Sequence, residues 1–379
     1  MITTYKEALK YIFTDKILPY NQQNLIKANS LLWNPLKDIK VIHIAWTNWK
    51  GSVSKMVFSV LKEANKSVWV FTNPFIIDKK ERFLTDKWYI NETEFITLTN
   101  KIKELPLTLA RFERWTLLAF LFFKLKKIEF AIIEVWLWWR LDPTNIVNPY
   151  ITCITSISLD HQDILWKTKE EISYEKAWII KENIPIFINH KNKVIEEIAK
   201  QKSAKLIYTN AKKETNLLWN HQQKNAWLAF EICKYLKIEE NIILWWLRKV
   251  KHIWRLQFIK NNLLIDWAHN EEWINALKEY LKNITDKYDD IYYCIQLKKW
   301  KKLNLITDTI WKNKKYIIIN KKNKKLKEQN KLLEEFQKQD IKTQILTPRQ
   351  IIKQTSKKEN YLYVIFWSLY VLCDFIELS

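Results

Sequence analysis

The first half of the chain alternates short apolar runs with longer amphipathic stretches. Residues 41–45 are almost wholly apolar, which predicts a buried strand, and residues 53–63 have apolar positions at helical spacing. The same pattern predicts one or two helices within residues 5–32, strands at 67–72, 130–135 and 151–157, and a helix at 117–126. Strands that alternate with helices predict a mostly parallel sheet covered on both faces.

A second series of the same kind begins near residue 253. Its predicted strands are at residues 263–266, 291–296, 316–320 and 361–366, and its predicted helices are at 272–282 and 323–339. A chain of 379 residues is long enough for two domains with separate cores. We therefore predict two α/β domains, residues 1–250 and 251–379.

Composition changes this picture at the turns. The chain has one glycine and 21 tryptophans, whereas glycine ordinarily supplies about 7% of residues, roughly two dozen in a chain of this length. Tryptophans fall where tight turns need glycine, as in AWTNWKGS at residues 45–52 and EVWLWWR at residues 134–140. Some bacterial lineages translate the UGA codon as glycine, and we hypothesise that most of these positions are glycine in the native protein.

The formal net charge of +22 would suit a nucleic acid or an anionic membrane. However, only seven of the 63 basic residues are Arg, and abundant Ile, Asn, Lys, Tyr and Phe indicate an AT-rich genome. The lysines are scattered along the chain, and the densest run, residues 312–327, is interpreted as an exposed loop and helix. We therefore expect no nucleic-acid partner.

The four cysteines and the apolar stretches bound the compartment. The cysteines are too far apart for a metal knuckle or a CxxC pair, which favours reduced cytosolic thiols. Residues 1–20 carry several charges instead of the apolar core of a signal peptide. The most apolar stretch, residues 117–123, is far shorter than the ~20 residues that span a bilayer. We expect a cytoplasmic protein with no membrane partner.

A candidate phosphate-binding loop follows the first predicted strand. It consists of Trp46, Thr47, Asn48, Trp49, Lys50, Gly51 and Ser52. Backbone N–H groups and the positive end of the next helix would face the phosphates, Lys50 would add a charge, and the Ser52 hydroxyl would reach Mg²⁺. Gly51 separates Lys50 from Ser52, so the generic pattern, in which Ser or Thr follows Lys directly, is not met. The alternative is an ordinary strand-to-helix turn that contains a lysine by chance.

With glycine in place of tryptophan, this loop becomes GTNGKGS and residues 134–145 become EVGLGGRLDPTN. Both strings resemble the folylpolyglutamate synthase and dihydrofolate synthase family of the Mur ligase superfamily, and the second separates that branch from the cell-wall branch. Further matches follow in order along nearly the whole chain: LWNP at 32–35, WVFTNP at 69–74, SLDH at 158–161, EKAWI at 175–179, LLWNHQ at 217–222 with NA at 225–226, WRL at 254–256, DWAHN at 266–270 and WSLY at 367–370.

The resemblance implies a Mur-ligase-like α/β fold. Residues 1–250 would be the P-loop ATP-binding domain with a mostly parallel sheet, and residues 251–379 a smaller, Rossmann-like C-terminal domain of the glutamate ligase. It also implies an enzyme that uses ATP and Mg²⁺ to join L-glutamate to a folate, with dihydropteroate as a possible second acceptor. A carboxylate is a poor electrophile, so the reaction would pass through an acyl phosphate, and catalysis would be chiefly electrostatic stabilisation and positioning. Family enzymes are commonly monomers, which we expect here.

The resemblance assigns roles to individual residues. The implied metal ligands are Ser52, Asn73, Glu134 and His161. The implied catalytic residues are Lys50, His161 and Lys176, and the lysine that matches Lys176 is carbamylated in relatives. ATP would be bound by the loop at 46–52 together with Asn225, Arg255, Asp266 and His269. The last three lie in the second domain, so domain closure would exclude water from the acyl phosphate.

The residues themselves bear on two of these roles. Glu134 follows the apolar run 130–133 at a predicted strand end, where a hard cation would find an oxygen ligand. The pattern around Lys176 alone predicts a surface lysine on a helix.

Some positions depart from the family pattern. The family's Ser-Pro-His is Asn73-Pro74-Phe75 here, so the ligand becomes an amide oxygen, the histidine is lost and the case for a second metal is weaker. The family's FE-xx-T pattern is matched only loosely around residues 112–116, and Arg82 and Phe112 are the candidate folate contacts. Trp115, Trp300 and Trp311 do not fall at clear family glycine positions.

Three alternatives remain open at this point. A cell-wall ligase of the Mur type is disfavoured by the EVGLGGRLDPTN string. A basic nucleic-acid-binding protein would lose affinity steeply with salt and would release no ADP in response to glutamate. If the indoles are real, the loop could not wrap a phosphate, and each turn that needs a positive φ would be strained by ~1 kcal/mol or more, leaving an inactive chain.

Overall fold

The computed structural model describes residues 1–13, 20–45, 50–72, 90–135, 139–155, 168–209, 213, 215, 220–249, 256–266, 268, 271–296, 315–319, 333–334, 336–338, 341–366 and 374–375. These residues form two compact units, one that holds the described residues up to Lys249 and one that holds those from Leu256 onward.

The first unit is built on one parallel sheet. Its strands are β1 (Lys40–Ala45), β2 (Val68–Phe71), β3 (Phe130–Glu134), β4 (Ile151–Ile154), β5 (Ile186–Ile188) and β6 (Leu206–Tyr208), in the order β2-β3-β1-β4-β5-β6. Its helices are α1 (Tyr5–Phe13), α2 (Gln22–Leu31), α3 (Lys50–Glu63), α4 (Glu92–Lys103), α5 (Arg111–Leu125), α6 (Lys169–Ala177), α7 (Lys193–Gln201), α8 (Asn220–Tyr235) and α9 (Glu240–Leu247). Two short 3₁₀ turns, Trp139–Leu141 and Pro143–Ile146, follow β3.

The second unit has its own six-stranded sheet. Its elements are β7 (Gln257–Lys260), β8 (Leu263–Ile265), α10 (Glu271–Lys282), β9 (Asp290–Ile295), β10 (Lys315–Ile319), β11 (Thr343–Leu346), α11 (Pro348–Lys357) and β12 (Tyr361–Phe366). The strand order is β11-β10-β9-β12-β8-β7, and only the β7–β8 pair is antiparallel. Two mostly parallel sheets with helices confirm the predicted α/β class.

Most strands predicted from the apolar runs are present to within one or two residues. The prediction for α5 was wrong at its beginning, since the helix begins at Arg111 and not at residue 117. The buried carboxylate of Glu113 accepts hydrogen bonds from the backbone N–H of Ala110 and, at 3.0 Å, from that of Asn21. This carboxylate accepts from an N–H group at the start of the helix that has no partner within the helix. A search for apolar periodicity does not detect such a polar start.

Several elements carried too little apolar signal to be predicted. Strands β5 and β6 have three residues each, and α7 and α11 are mainly polar. Of the predicted helix at 323–339, only residues 333–334 and 336–338 are described, and these are helical.

The largest apolar cluster of the first unit lies around α5. Nearly every side chain of this helix from Glu113 to Phe123 is buried. The ring of Trp115 packs edge-on against Phe13 of α1 at 4.4 Å between centroids, and Phe122 packs against Trp69 of β2 at 4.6 Å. A second cluster, which includes Ile172 of α6 and Ile195 of α7, covers another part of the sheet. Close packing of these helices against the sheet fixes the positions of its strand ends.

Trp33 has the backbone conformation of a glycine. Its φ is 62°, in the left-handed region, and its side chain is 82% exposed. A bulky residue is strained there, and an exposed indole gains no burial in return. Trp33 is the second residue of the LWNP string, where the family resemblance has glycine, so the backbone supports glycine at this position in the native protein.

No helix in the described part of the chain has the length and apolar character needed to cross a membrane.

Candidate active site

Three neighbouring strands of the first sheet, β3, β1 and β4, end at one edge, where β3 closes with Glu134 and Thr155 follows β4. In the ladder, Ile44 of β1 is level with Glu134 of β3 on one side and with Cys153 of β4 on the other. The next amides continue the ladder, because Val135 N donates to Ile44 O and Thr155 N donates to Ala45 O. Strand β1 lies between β3 and β4. The connection after β1 leads to β2 on one side of the sheet, and the connection after β4 leads to β5 on the other. The crevice at the carboxyl ends of such strands is where open α/β sheets bind ligands.

Helix α3 begins at this edge, five residues after the end of β1. Lys50 is its first residue and Ser52 its third. Free backbone N–H groups and the positive end of the dipole make a helix N-terminus an anion site. The Ser52 side chain is buried, and its Oγ accepts a hydrogen bond of 3.0 Å from Nε2 of Gln222 in α8.

Gln222 belongs to a chain of amide side chains. Nδ2 of Asn225 donates to Oε1 of Gln222 at 3.2 Å, and Nδ2 of Asn189 donates to Oδ1 of Asn225 at 3.4 Å. Asn189 follows β5, and its Oδ1 lies 3.1 Å from Nδ1 of His190. We call Ser52, Gln222, Asn225, Asn189 and His190 the amide chain. It joins α3, α8 and the end of β5.

Glu134 is the last residue of β3, and only 2% of its surface is exposed. Ser52 and Glu134 are therefore buried oxygen donors, a hydroxyl and a carboxylate, at the same edge of the sheet. Hard oxygen donors are the ligands that Mg²⁺ prefers, so these two residues fit the implied metal. Within the described ranges, no group of three or more His, Cys, Asp or Glu side chains is arranged to hold a metal. The other two proposed ligands, Asn73 and His161, lie outside those ranges.

Lys176 lies near the end of α6. The local pattern alone indicates a surface lysine on a helix, and the structure agrees on the helix but not on the surface position. Its side chain is fully buried. It lies on the face of α6 that turns toward the protein, which the short and largely polar sequence of that helix does not reveal. Burial lowers the pKa of His190, and the positive charges of Lys176 and Lys224 lower that pKa further, while the Thr155 main chain opposes the shift. His190 and Lys176 therefore share one electrostatic environment.

The turns after β3 are tied to β1. Oγ1 of Thr144 donates to Oδ1 of Asp142 at 2.6 Å, and Nε2 of His43 lies 3.1 Å from the same Thr144 oxygen. Because Thr144 donates its only hydroxyl hydrogen to Asp142, Nε2 of His43 must be the donor to the Thr144 oxygen. Nζ of Lys181 donates to the main-chain oxygen of Asn145 at 2.9 Å, and burial lowers the pKa of this lysine to about 8. The RLDPTN segment at 140–145 is thus fixed from two sides.

Asp266, a proposed ATP ligand, lies in the second unit. It follows β8, is buried, and its Oδ2 accepts a 2.9 Å hydrogen bond from the N–H of Leu256, whose φ is 44°. Asp266 therefore fixes the backbone turn that comes directly after Arg255. Arg255 and His269 themselves are outside the described residues.

Phe112, a candidate folate contact, is a half-buried residue in the first turn of α5. It packs against the large apolar cluster, and the Arg111 guanidinium lies 5.5 Å from its ring centre. Arg82 and the loop residues Trp46, Thr47, Asn48 and Trp49 are outside the described residues.

Sequence reasoning missed three residues of this region. Gln222 is within a quoted motif but was given no role, and His43 and Asn189 were not singled out. Each acts through a partner distant in the sequence, 170 residues away for Gln222 and 101 for His43. For His43 and Asn189, a polar residue inside or directly after an apolar run was the available signal, and Gln222, in a polar stretch, gave none.

Comparison with known proteins agrees with this architecture. The Mur ligase middle domain matches residues 44–244, more than half of the chain. The dihydrofolate synthase/folylpolyglutamate synthase of Bacillus subtilis is 34% identical over 298 residues, which cover 66% of this chain and 69% of that protein. The dihydrofolate synthetase of Saccharomyces cerevisiae is 32% identical over 255 residues, which cover 63% of this chain and 58% of that protein.

Solved structures share the fold over the full length. The apo form of L. casei FPGS has a TM-score of 0.83 at 20% identity and covers 100% of both chains. E. coli FolC in complex with DHPP and ADP has a TM-score of 0.84 at 21% identity and covers 99% of this chain and 97% of its own. The family model matches more than half of the chain, and the B. subtilis relative is matched over two thirds of its length. The chain therefore belongs to the folylpolyglutamate synthase and dihydrofolate synthase family of Mur ligases.

Proposed function

We propose that this chain is an ATP-dependent ligase that joins L-glutamate to a folate. The observation that carries the proposal is the placement of Ser52 and Glu134, two buried oxygen donors, at the sheet edge where α3 begins. The names of the B. subtilis and S. cerevisiae relatives support folate as the substrate class. Relatives bound to ADP or to AMPPCP support ATP as the phosphoryl donor.

The reaction has two steps. A carboxylate oxygen of the folate attacks the γ-phosphorus of ATP, the bond to the bridging oxygen breaks and ADP leaves. The amine of glutamate then attacks the acyl carbon, loses a proton to solvent, and inorganic phosphate leaves as the amide forms. Charge on the phosphoryl oxygens is highest during the first step, so fixed positive groups lower its barrier.

The chain's own residues would divide this work. The N-terminus of α3 and Lys50 would hold the outer phosphates, and Ser52, Glu134, Asn73 and His161 would hold Mg²⁺. Bound Mg²⁺ would neutralise charge on the β- and γ-phosphates. The remaining loop residues 46–49, with Asn225, Arg255, Asp266 and His269, would bind the nucleotide. Arg82 and Phe112 would contact the folate.

Lys176 has a separate role in the proposal. A fully buried ammonium is costly, and carbamylation would replace that charge by a negative one. We assign residues 1–250 to ATP binding and 251–379 to completing the ligase, and we expect a cytoplasmic monomer with no nucleic-acid or membrane partner. Static light scattering at working concentration tests the monomer.

A second candidate activity is the same ligation on dihydropteroate. It is favoured by the B. subtilis relative, whose name carries both activities, and by E. coli FolC, which binds DHPP. The two acceptors differ in the carboxylate that is activated, but the ATP chemistry is the same.

The decisive experiment measures ADP release by the protein with the residues its native host inserts. Folate and dihydropteroate are supplied separately, each with and without L-glutamate, and the masses of the products are measured by mass spectrometry. We expect glutamate-dependent ADP release and a product heavier by one glutamyl residue. The Lys50→Ala variant should lose about 10²-fold or more in rate. ADP release that does not depend on glutamate, together with salt-sensitive binding to nucleic acid, would instead support the alternative of a basic nucleic-acid-binding protein.

A further inference from the structure

The side chain of Gln222 is buried between α8 and α3 and makes two directed hydrogen bonds. Its Nε2 donates to Oγ of Ser52 at 3.0 Å, and its Oε1 accepts from Nδ2 of Asn225 at 3.2 Å. All three side chains are at most 3% exposed. With Nδ2 of Asn225 as the donor, Oε1 of Gln222 is the acceptor, and Nε2 of Gln222 therefore faces Ser52.

The rest of the amide chain supports that orientation. Oδ1 of Asn225 accepts from Asn189, and Oδ1 of Asn189 in turn lies 3.1 Å from Nδ1 of His190. Each donor therefore meets an acceptor along the series from Asn189 to Ser52. The three amides are oriented consistently with one another, and the last donor in the series, Nε2 of Gln222, points at the serine.

This donor determines what the Ser52 hydroxyl can do. A hydroxyl oxygen has two lone pairs and one hydrogen. Because Nε2 of Gln222 occupies one lone pair, rotation of the hydroxyl is restricted and one lone pair is left for another group. Ser52 is the third residue of α3, at the edge where the phosphates are proposed to bind.

We propose that Gln222 is a positioning residue that presets the Ser52 hydroxyl as a ligand for the metal of the bound nucleotide. This inference rests on the proposed function for the nature of that ligand. Residues that hold a metal ligand through a hydrogen bond typically change metal affinity by 10- to 100-fold when they are replaced. Gln222 reaches the metal only through Ser52, so this role shows in the Mg²⁺-dependent part of nucleotide binding. An effect through Asn225 would instead appear equally with and without the metal.

The test compares Gln222→Met with Gln223→Met. Methionine has nearly the length of glutamine but no N–H donor. Gln223 is the next residue of α8, is half-buried, and its side chain is outside the amide chain, so it is a matched control. Binding of a non-hydrolysable ATP analogue is titrated calorimetrically with Mg²⁺ and again with EDTA, and the melting temperature is recorded.

We expect Gln222→Met to weaken analogue binding about 10-fold with Mg²⁺ and less than twofold with EDTA. Gln223→Met should match the wild type in both. A loss of equal size with and without Mg²⁺ would assign Gln222 to the support of Asn225 or to packing of α8 on α3. A fall in melting temperature with unchanged binding would assign it to packing alone, and either result would overturn the proposal. If Gln222→Met does not fold, Gln222→Asn keeps an amide but withdraws its donor from Ser52, and the same comparison applies.

A double-mutant cycle separates this proposal from the proposed ligase activity. In the Ser52→Ala background, Gln222→Met should have no additional effect on Mg²⁺-dependent binding, since the group it positions is absent. Additive losses would contradict the positioning role. These measurements use binding alone, so a wild-type protein that adds no glutamate would refute the ligase without deciding the role of Gln222.

Discussion

At the scale of single residues, His43 shows how a buried polar group creates pH dependence. Burial, and then the charge of Lys181, lower the pKa of His43 to about 3. In the unfolded chain a histidine has a pKa of about 6.5. Between these values the unfolded state binds a proton that the folded state does not, so the free energy of unfolding falls as the pH falls from about 6.5 toward about 3. The slope from this one residue approaches about 1.4 kcal/mol per pH unit.

We expect His43→Gln to reduce that slope. Glutamine has a donor near the position of Nε2, so the hydrogen bond to Thr144 has a replacement while the titrating group is gone. Urea unfolding at about pH 7 and about pH 5 gives the two free energies. At the higher pH the variant should differ from the wild type by its packing cost alone. An unchanged difference between the two pH values would show that His43 does not set the acid sensitivity.

The backbone conformation of Trp33 leads to a prediction that distinguishes glycine from tryptophan at position 33. A non-glycine residue in the left-handed region costs roughly 1–2 kcal/mol, and the exposed indole of Trp33 recovers little by burial. Trp33→Gly should therefore stabilise the chain by about 1 kcal/mol. Asn65→Gly is the control, because Asn65 also has a positive φ, 56°, but asparagine tolerates that region and the gain should be smaller.

The measurement is the free energy of unfolding of both variants under the same conditions. A Trp33→Gly variant less stable than the parent would mean that the indole makes contacts that outweigh the strain. Burial alone gives no such discrimination. Trp69 and Trp115 are both buried, although only Trp69 lies at a position where the family resemblance has glycine.

The position of a residue within its strand or helix could be predicted from the sequence better than the contacts around its side chain. Glu134 was expected at a strand end and is there, because an apolar run before a carboxylate indicates where a buried strand stops. The local pattern around Lys176, taken alone, indicates a surface position, but the residue is buried, because the neighbours that cover it come from parts of the chain that periodicity does not connect. The partners of Ser52 and His43 were unpredictable for the same reason.

At the scale of elements, the beginning of α5 depends on one carboxylate. Glu113 accepts main-chain hydrogen bonds from Ala110, at the start of its own helix, and from Asn21, at the start of α2. Glu113→Ala should cost about 2–3 kcal/mol, because it leaves two N–H groups without their acceptor and separates two helices. Glu113→Gln keeps one carbonyl oxygen and should cost less.

Glu94→Ala provides the comparison at a helix start whose capping carboxylate pairs with a lysine side chain but caps one helix only. Glu94 completes the capping box of α4 with Asn91 and pairs with Lys126, without a bond to another helix start. Its loss should be about 1 kcal/mol. Chemical denaturation measures both variants. Equal losses would mean that the bond to Asn21 adds nothing to stability.

At the scale of the whole molecule, the alternation of strands and helices was enough to predict two α/β units, but the order of strands was not. Nothing in the apolar runs states that β1 lies between β3 and β4, or that β12 lies between β8 and β9. Right-handed crossovers leave several orders possible, and packing between distant segments selects one. The site depends on that order, since the end of β3 with Glu134 lies beside the end of β1 only when β1 and β3 are neighbours.

The composition of the chain leads to a prediction about the whole molecule. If the host inserts glycine at UGA, peptides of the native protein that span residues 41–55 and 130–145 should have the masses for glycine at positions 46, 49, 136, 138 and 139. A peptide that spans residue 33 should agree, because the backbone there already favours glycine. Peptide mass spectrometry on the protein from its native host checks all of these positions at once. Tryptophan at positions 46 and 49 would put two indoles where phosphate must approach the backbone, and would leave a ligase fold that cannot bind ATP.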